Sequence, residues 1–231
     1  MSRIVCFDTE TTGFDYRGGD KIIEIAAVEI VDGKITSNHV HELINPDGKL
    51  VPKEAYEVHK ISNHALEGKP KFREIAPKLI EFFGNSQIVA HNGQDFDFPF
   101  LNHELRNAGL PEIPKEKQID SLIIARNRVF GPKSYSLDAL AKWFEISLKE
   151  REFAHSALVD SKILAQIYLE LTSVGDMESY DSIKERYEKA MKEIPKTSGR
   201  APRDFPPSET ELKTWNEFLT KTIPNSTWSQ S

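Results

Sequence analysis

Two carboxylates stand at the end of the first apolar run of the chain, in the segment FDTETTG at residues 7–13. Because side chains alternate between the two faces of a strand, Asp8 and Glu10 are expected side by side on one face. Carboxylates held this close repel each other and are costly to desolvate unless a proton or a cation lies between them. A polar turn after a strand also contains acids, so this pair alone does not distinguish a turn from a cation site.

Two further acids lie near the starts of predicted helices. Asp97 precedes a helix that carries Leu101 and Leu105, and Asp160 lies four residues before Leu164 on the inward face of an amphipathic helix. A carboxylate that faces the core needs a compensating partner. Helix capping, together with the backbone dipole, is the structural alternative for both residues.

The four acids together fit metal-dependent phosphodiester chemistry. If they converge at one edge of a sheet, their oxygens suit hard cations such as Mg²⁺, which completes its shell with water and substrate phosphate. Two such ions roughly 3.5–4 Å apart can activate a water and stabilise the leaving oxygen. His155, five residues before Asp160, has the near-neutral pKa of a proton acceptor for that water. The alternative for His155 is a surface loop histidine, which is our interpretation of His39, His41, His64 and His103.

The composition limits the classes of function. Thirty basic and 36 acidic residues give a net charge of −6, which argues against binding long nucleic acid by counterion release. It does not argue against binding only the end of a nucleic-acid strand, which needs few phosphate contacts. The single cysteine, Cys6, excludes a disulfide framework and is expected to pack as a small apolar residue. We expect a cytoplasmic protein without a signal peptide or membrane span.

The apolar pattern predicts strands that alternate with helices around a mixed sheet. A central strand is expected at residues 4–8, two or three strands within residues 21–48 around an Asp32-Gly33 hairpin turn, and a short strand from residue 87. Helices are predicted over residues 53–83 with a break at 68–70, from Pro99 to Gly109, and over 120–130, 136–144 and 156–171.

Three segments, FDTETTG, HNGQDFDFPFL and HSALVD, resemble in order and spacing the motifs of the DnaQ-like (DEDDh) 3′–5′ exonucleases. The resemblance covers residues 3–173, and the His-x4-Asp pattern marks the histidine branch. It implies an α/β, RNase H-like fold with a central mixed five-stranded sheet flanked by helices. It also implies two divalent cations, Mg²⁺ or Mn²⁺, with His155 as general base and four metal ligands: Asp8, Glu10, Asp97 and Asp160.

The resemblance also suggests which residues contact the terminal nucleotide. Those positions are Thr9, Thr11, Glu54, His59 and Phe96. One departure lies in the second motif, where HNGQDFD has an extra residue and makes Asp95 a rival of Asp97. We choose Asp97 because the aromatic spacing after it matches the family.

The chain is expected to divide into an exonuclease domain at 1–174, a charged helix and Pro-rich linker at 175–209, and a helical tail at 210–231. The tail resembles the segment by which proofreading members of the family dock on the polymerase III catalytic subunit; an ordinary terminal amphipathic helix is the alternative. A clamp-binding peptide is not evident. The implied function is 3′–5′ exonuclease action on single-stranded or frayed DNA 3′ ends in replication. A stand-alone DNA-repair or RNA-trimming nuclease, or a silent binding module, remains an alternative.

Overall fold

A computed structural model describes residues 2–151, 155–173 and 213 of the 231-residue chain. Five strands form one sheet in the order β3-β2-β1-β4-β5. They are β1 (Arg3–Thr11), β2 (Ile22–Val31), β3 (Lys34–Leu43), β4 (Gln87–Ala90) and β5 (Gln118–Asp120). The pairs β1/β2 and β2/β3 are antiparallel, whereas β1/β4 and β4/β5 are parallel. The predicted mixed five-stranded sheet is therefore confirmed.

The first strand is central and buried on both faces. Val5 and Phe7 belong to one core cluster, while Cys6 between them belongs to a second cluster on the opposite face. Alternation along the strand sends neighbouring side chains into different cores, which explains why this segment is apolar without a gap. The prediction that Cys6 packs as a small apolar residue is confirmed.

The hairpin between β2 and β3 turns at Asp32 and Gly33, as predicted. Their φ angles are 48° and 77°. Positive φ at both central residues suits the right-handed twist of the flanking strands, and Asp-Gly is a favoured pair for it. The region from 21 to 48 thus contains two strands.

The helices cover both faces of the sheet. Their bounds are α1 (Lys53–His59), α2 (Asn63–Leu66), α3 (Phe72–Phe83), α4 (Asp97–Asn107), α5 (Ser121–Arg128), α6 (Leu137–Trp143) and α7 (Ala157–Ser173). Short 3-10 turns lie at Lys115–Lys117 and Lys149–Arg151. Side chains of α3 and α4 pack in the core that holds Phe7, and those of α5, α6 and α7 pack in the core that holds Cys6.

Three details of the sequence-based prediction were wrong. The segment 53–83 breaks twice, because Lys60 adopts a left-handed conformation at the end of α1 in addition to the predicted break before Phe72. The helix expected to begin near Pro99 begins at Asp97. The apolar pattern did not reveal β5, whose three residues are too few to show periodicity.

Contacts divide the chain into two units, Met1–Met177 and Glu178–Ser231. The first unit carries the sheet and all the elements above. In the second, only Lys213 is described, so the predicted linker and, apart from this residue, the predicted tail lie outside the described residues. None of the helices in the described part is both long and apolar enough to cross a membrane.

Candidate active site

The end of β1 supplies two of the predicted acids. Asp8 and Glu10 are half-buried, while Thr9 between them is buried. In the register with β2, Asp8 lies opposite Ala26 and Glu10 lies opposite Glu24. Alternation along the strand therefore brings both carboxylates out on one side of the sheet, as the sequence predicted.

A loop between β4 and α4 brings a third acid to this strand end. The loop is fixed by Asp120, whose carboxylate accepts hydrogen bonds from the backbone N–H of Asn92 at 3.1 Å and of Gln94 at 3.0 Å. Helix α4 starts immediately after it, and the first helical side chain, Asp97, accepts a hydrogen bond from the Thr9 hydroxyl at 2.7 Å. The first and second motifs are therefore in direct contact.

This geometry decides two questions about Asp97: whether it caps α4, and whether Asp95 takes its place in the second motif. The capping position is occupied by Phe96, which makes no side-chain cap, so Asp97 does not serve as the cap of α4. Asp97 is 3% exposed, whereas the rival Asp95 is exposed to solvent. Of the two acids, Asp97 is the one placed against β1.

The third motif lies at the start of α7. Asp160 is buried in the first turn of this helix, and His155 lies just before it. Ligand atoms of Glu10, His155 and Asp160 all lie within 4.8 Å of one another. The His155 Nδ1 to Asp160 Oδ2 distance is 3.6 Å. The structure thus gathers an acid from β1, an acid from α7 and the predicted base in one place.

An arginine that the sequence analysis did not single out also enters the site. Arg151 Nε lies 2.7 Å from Asp160 Oδ1, and Nη2 donates to Asp160 Oδ2 at 3.0 Å. Nη2 also donates to His155 Nδ1 at 2.7 Å, and Nη1 pairs with Asp138. Because a guanidinium has no acceptor, this contact requires an unprotonated His155 Nδ1.

Desolvation raises the pKa of every acid in this group, and repulsion from neighbouring acidic residues, inside or outside the group, raises each pKa further. Burial raises the pKa of Asp8 well above its usual value, and the charges of Asp97, Asp160 and Glu10 raise it further. Burial raises the pKa of Asp97 to about 7 and that of Asp160 to about 6. Burial, followed by the charge of Glu24, raises the pKa of Glu10 to about 8. One guanidinium is not enough to compensate these carboxylates.

The donor set fits hard divalent cations. Carboxylate oxygens are the preferred protein ligands of such ions, and the raised pKa values show that a compensating positive charge would be favourable here. The cluster of Glu10, His155 and Asp160 offers ligand atoms at spacings that one ion could bridge. The predicted metal ligands are therefore chemically suited to that role.

The residues predicted to contact a nucleotide have different surroundings. Thr9 and Thr11 are buried, and their hydroxyls donate to Asp97 and to the Gly13 carbonyl. Phe96 packs against Phe14 and Phe100, with ring centroids 5.9 and 5.0 Å away. The remaining two predicted contacts are on α1.

On α1, Glu54 is exposed in the first turn and His59 is buried in the last. The Nδ1 of His59 accepts a hydrogen bond from the Ile61 N–H at 3.0 Å, whereas its buried Nε2 has no partner among the described residues. Burial lowers the pKa of His59, and the proximity of His155 lowers it further. His59 is therefore a neutral ring whose unpartnered nitrogen carries the proton.

Two further findings differ from the sequence-based expectations. Glu24, one of two acids on the otherwise apolar strand β2, contacts the start of α7, and an acid at a buried position of that strand was the signal available in the sequence. None of the four histidines expected in surface loops is in a loop. His39 and His41 lie on β3, His64 lies on α2 and His103 lies on α4. His41 contacts the Glu24 carboxylate at 2.6 Å.

Solved structures with the same architecture include nucleases. Exonuclease X in complex with 5′ overhanging duplex DNA is 29% identical with a TM-score of 0.56, covering 75% of this chain and 94% of that one. The nuclease domain of 3′hExo, a DEDDh family member bound to rAMP, has a TM-score of 0.64 at 18% identity, covering 75% of this chain and 93% of that one. The second similarity concerns the fold alone, and the predicted RNase H-like exonuclease fold is confirmed.

Residues 5–168 match the RNase_T family, described as Exonuclease, and the chain belongs to this family. It is similar to DNA polymerase III subunit epsilon of Rickettsia felis, with 36% identity over 227 residues, which cover 96% of this chain and 97% of the relative. The epsilon subunit of Escherichia coli K12 is 40% identical over 180 residues, 74% of this chain and 72% of the relative. The predicted 3′–5′ exonuclease function and the predicted likeness to a proofreading subunit are confirmed.

Proposed function

We propose that the chain removes nucleotides from single-stranded or frayed DNA 3′ ends and that it does so as a proofreading activity of replication. The observation that supports this proposal most directly is that carboxylates from β1, α4 and α7 lie together beside a histidine. The pKa of each of these acids is raised. Support for the substrate comes from the epsilon relatives and from Exonuclease X, whose structure contains DNA.

Asp8, Glu10, Asp97 and Asp160 would hold two divalent cations, Mg²⁺ or Mn²⁺. When bound, such ions activate a water and stabilise the leaving oxygen of the phosphodiester. Asp97 is oriented by the Thr9 hydroxyl, and Asp160 by the helix that carries it. These contacts fix the carboxylates before the substrate arrives, which reduces the reorganisation that the reaction requires.

His155 would take the proton from the attacking water. Burial lowers its pKa, and the neighbouring Arg151 charge lowers it further, so the ring is neutral at pH 7. A neutral imidazole is the form that a general base requires. Because Arg151 donates to Nδ1 of the neutral ring, Nε2 carries the proton, and the water's proton would be taken at Nδ1 once the Arg151 contact opens. Asp160, 3.6 Å from Nδ1, would then stabilise the protonated ring.

His59 would donate a hydrogen bond to the terminal nucleotide. Its Nδ1 accepts from Ile61, so Nε2 carries the proton, and a buried donor without an acceptor costs free energy in the absence of substrate. A phosphate or sugar oxygen would satisfy it. Phe96 would contact the base or sugar of the terminal nucleotide, and Glu54 would approach the nucleotide from the exposed side of α1. Thr9 and Thr11 would lie beneath the nucleotide, at the bottom of its binding site.

The tail at 210–231 would dock on the polymerase III catalytic subunit, which would place the protein in the cytoplasm with the replication machinery. Support comes from the length of the similarity. The Rickettsia felis relative aligns over 96% of the chain and so extends past the nuclease domain. A pull-down of that catalytic subunit by the full chain, but not by a chain that ends at Gly199, is the expected result. Equal capture by both chains would contradict this docking role.

The function is tested by digestion of a 3′-mismatched DNA primer with Mg²⁺, with Mn²⁺ and with a chelator. We expect stepwise loss of nucleotides from the 3′ end with either ion and none with the chelator. A matched RNA primer tests whether the enzyme prefers DNA or RNA. Faster cleavage of RNA than of DNA would overturn the proposed substrate.

The variants Asp8→Ala and Asp160→Ala separate the enzyme from a contaminating nuclease. Both should be inactive while keeping the circular dichroism spectrum of the wild type. Exposed Asp95, the rival acid of the second motif, provides the matched control, and Asp95→Ala should retain activity within about twofold, because exposed side chains of this kind contribute little.

A further inference from the structure

Glu24 is a buried acid on β2 to which the proposed chemistry gives no role. It is 3% exposed and interrupts the apolar strand IIEIAAVEIV. It also lies directly opposite Glu10 on β1, so two carboxylates face each other across the strand pair. Like charges in this arrangement are unfavourable, and burial increases the cost. Compensating contacts must therefore hold Glu24 in place.

Those contacts lie at the start of α7. The Oε2 atom of Glu24 accepts a hydrogen bond from the backbone N–H of Ala157 at 3.0 Å, and Oε1 accepts from the Ser156 hydroxyl at 3.1 Å. Ala157 is the first residue of α7, and the first N–H groups of a helix have no partner within the helix. A carboxylate is also favoured by the helix dipole at this end. Glu24 thus caps α7 from a neighbouring strand.

A third contact orients the cap. His41 on β3 approaches Oε1 of Glu24 with its Nε2 at 2.6 Å. One carboxylate therefore joins β2, β3 and α7. Because both oxygens of Glu24 already accept hydrogen bonds from the protein, its geometry is that of an anchor for α7.

The anchored turn is the one that carries the third motif. His155 and Asp160 flank the residues that Glu24 holds, and the next attachment of α7 to the sheet is the bond from the Ser161 hydroxyl to the Ala26 carbonyl at 2.9 Å. Without Glu24, no described hydrogen bond from the sheet would hold the residues between His155 and Asp160, and the remaining side-chain contacts of this turn would include those of Arg151 with His155 and Asp160 and that of Ser161 with Ala26. Displacement of a catalytic group by about 1 Å can reduce a rate on the order of 100-fold.

We propose that Glu24 is a positioning residue that sets the place of His155 and Asp160 relative to the β1 carboxylates through its cap on α7. The inference rests on the proposed hydrolytic function of this site. It predicts that loss of the cap lowers kcat and leaves the KM for DNA nearly unchanged, because Glu24 does not contact the substrate.

The experiment compares Glu24→Ala, Glu24→Gln and the matched control Glu29→Ala on a single-stranded DNA 3′ end. Glu29 lies on the same strand and, like Glu24, accepts three hydrogen bonds, but its partners are the side chains of Arg3, Thr36 and Asn38 on β1 and β3. We expect Glu24→Ala to lower kcat by about 10- to 100-fold with KM within about twofold. Glu24→Gln retains a carbonyl acceptor and should recover much of kcat, whereas Glu29→Ala should keep kcat within about twofold.

Amide hydrogen exchange provides a readout that needs no activity. In Glu24→Ala, and more weakly in Glu24→Gln, exchange at Ala157 and the following turn should accelerate while β2 stays protected; in Glu29→Ala this turn should exchange as in the wild type. If wild-type protein does not cleave DNA, the proposed function fails, but the exchange data still test the cap. Unchanged kcat in Glu24→Ala, an equal loss of kcat in Glu29→Ala, or unchanged exchange at Ala157 in both Glu24 variants would each overturn the positioning role. If Glu24→Ala does not fold, hydrogen exchange at Ala157 in Glu24→Gln and Glu29→Ala decides: faster exchange in Glu24→Gln alone supports the positioning role, and equal exchange in the two variants overturns it.

Discussion

Arg151 pairs with Asp160 through two contacts, Nε to Oδ1 at 2.7 Å and Nη2 to Oδ2 at 3.0 Å. The side chain of Arg151 is 10% exposed and that of Asp160 is 4% exposed, so this is a buried ion pair. Asp160 is also one of the proposed metal ligands. The guanidinium therefore compensates a carboxylate that a divalent cation would also attract, and the two positive groups are expected to compete.

Replacement of Arg151 tests this competition. In Arg151→Gln, the thermal midpoint in chelator at pH 8 should fall, because removing one partner leaves a buried carboxylate uncompensated. The increase in midpoint on adding Mn²⁺ should be larger than in the wild type. Arg3→Gln is the control, since Arg3 pairs with Glu29 away from the site. An Mn²⁺ response that is identical in wild type and Arg151→Gln would show that the arginine does not compete.

The pH dependence of stability follows from the raised pKa of Asp97. Burial raises it from 3.8 to about 7, so the folded state binds more protons than the unfolded state between these values. Metal-free protein should lose stability as pH rises from about 4 through 7. Asp97→Asn should be inactive and yet more stable than the wild type at pH 8 by at least about 1 kcal/mol, because one pKa unit corresponds to about 1.4 kcal/mol.

Urea unfolding in chelator at pH 4.5 and pH 8 measures this difference. The stabilisation by Asp97→Asn should be small at pH 4.5, where the wild-type carboxyl is protonated, and present at pH 8. The control is Asp20→Asn, because hydrogen bonds lower the pKa of Asp20 and reverse the expected sign. Stabilisation by Asp97→Asn of equal size at both pH values would contradict the electrostatic explanation.

The assignment of His155 as the base predicts a loss of turnover with binding preserved. His155→Ala should lower kcat by about 10²- to 10⁴-fold, the usual range for removal of a general base. The KM for DNA should change little. His39→Ala, at an exposed position on β3, should behave as the wild type. A His155→Ala enzyme with more than about a tenth of wild-type kcat would refute the role.

His59 is expected to contribute to substrate binding. His59→Ala should raise the KM for DNA by about tenfold, since a hydrogen bond to a charged group contributes about 1.5–3 kcal/mol. The metal-free variant should also lose stability, because removal of the buried ring leaves a cavity and an unpaired Ile61 N–H, so KM is compared at a temperature at which the variant is folded. Steady-state kinetics and thermal unfolding measure both effects. The control is His64→Ala at an exposed position, which should leave KM unchanged. An unchanged KM in His59→Ala would show that His59 does not contact the substrate.

Local sequence patterns predicted the elements that carry the acids. Strict alternation around Asp8 and Glu10 and the helical spacing before Leu164 depend only on neighbouring residues, so both were accessible without a structure. The amphipathic helix predicted around Leu164 is likewise present, and its buried face includes Ile163, Leu164, Ile167, Tyr168 and Leu171. The convergence of three segments required the family resemblance.

The remaining contacts could not be predicted because they depend on tertiary packing. Arg151 reaches Asp160 from a short 3-10 turn, where the sequence has no periodic pattern. Glu24 was visible as an acid within an apolar strand, but its partner at Ala157 lies 133 residues away. The three-residue strand β5 pairs with β4, and its ends are set by that pairing. Each feature depends on nonlocal contacts that short-range patterns do not encode.

The central claim is that carboxylates from three segments bind divalent cations beside a nucleotide 3′ end. Anomalous diffraction from a crystal grown with Mn²⁺ and a deoxynucleoside monophosphate tests it most directly. We expect two manganese peaks about 3.5–4 Å apart, ligated by Asp8, Glu10, Asp97 and Asp160, with His155 close to the phosphate. Manganese bound elsewhere with these four carboxylates unligated, or a nucleotide located away from them, would contradict the account.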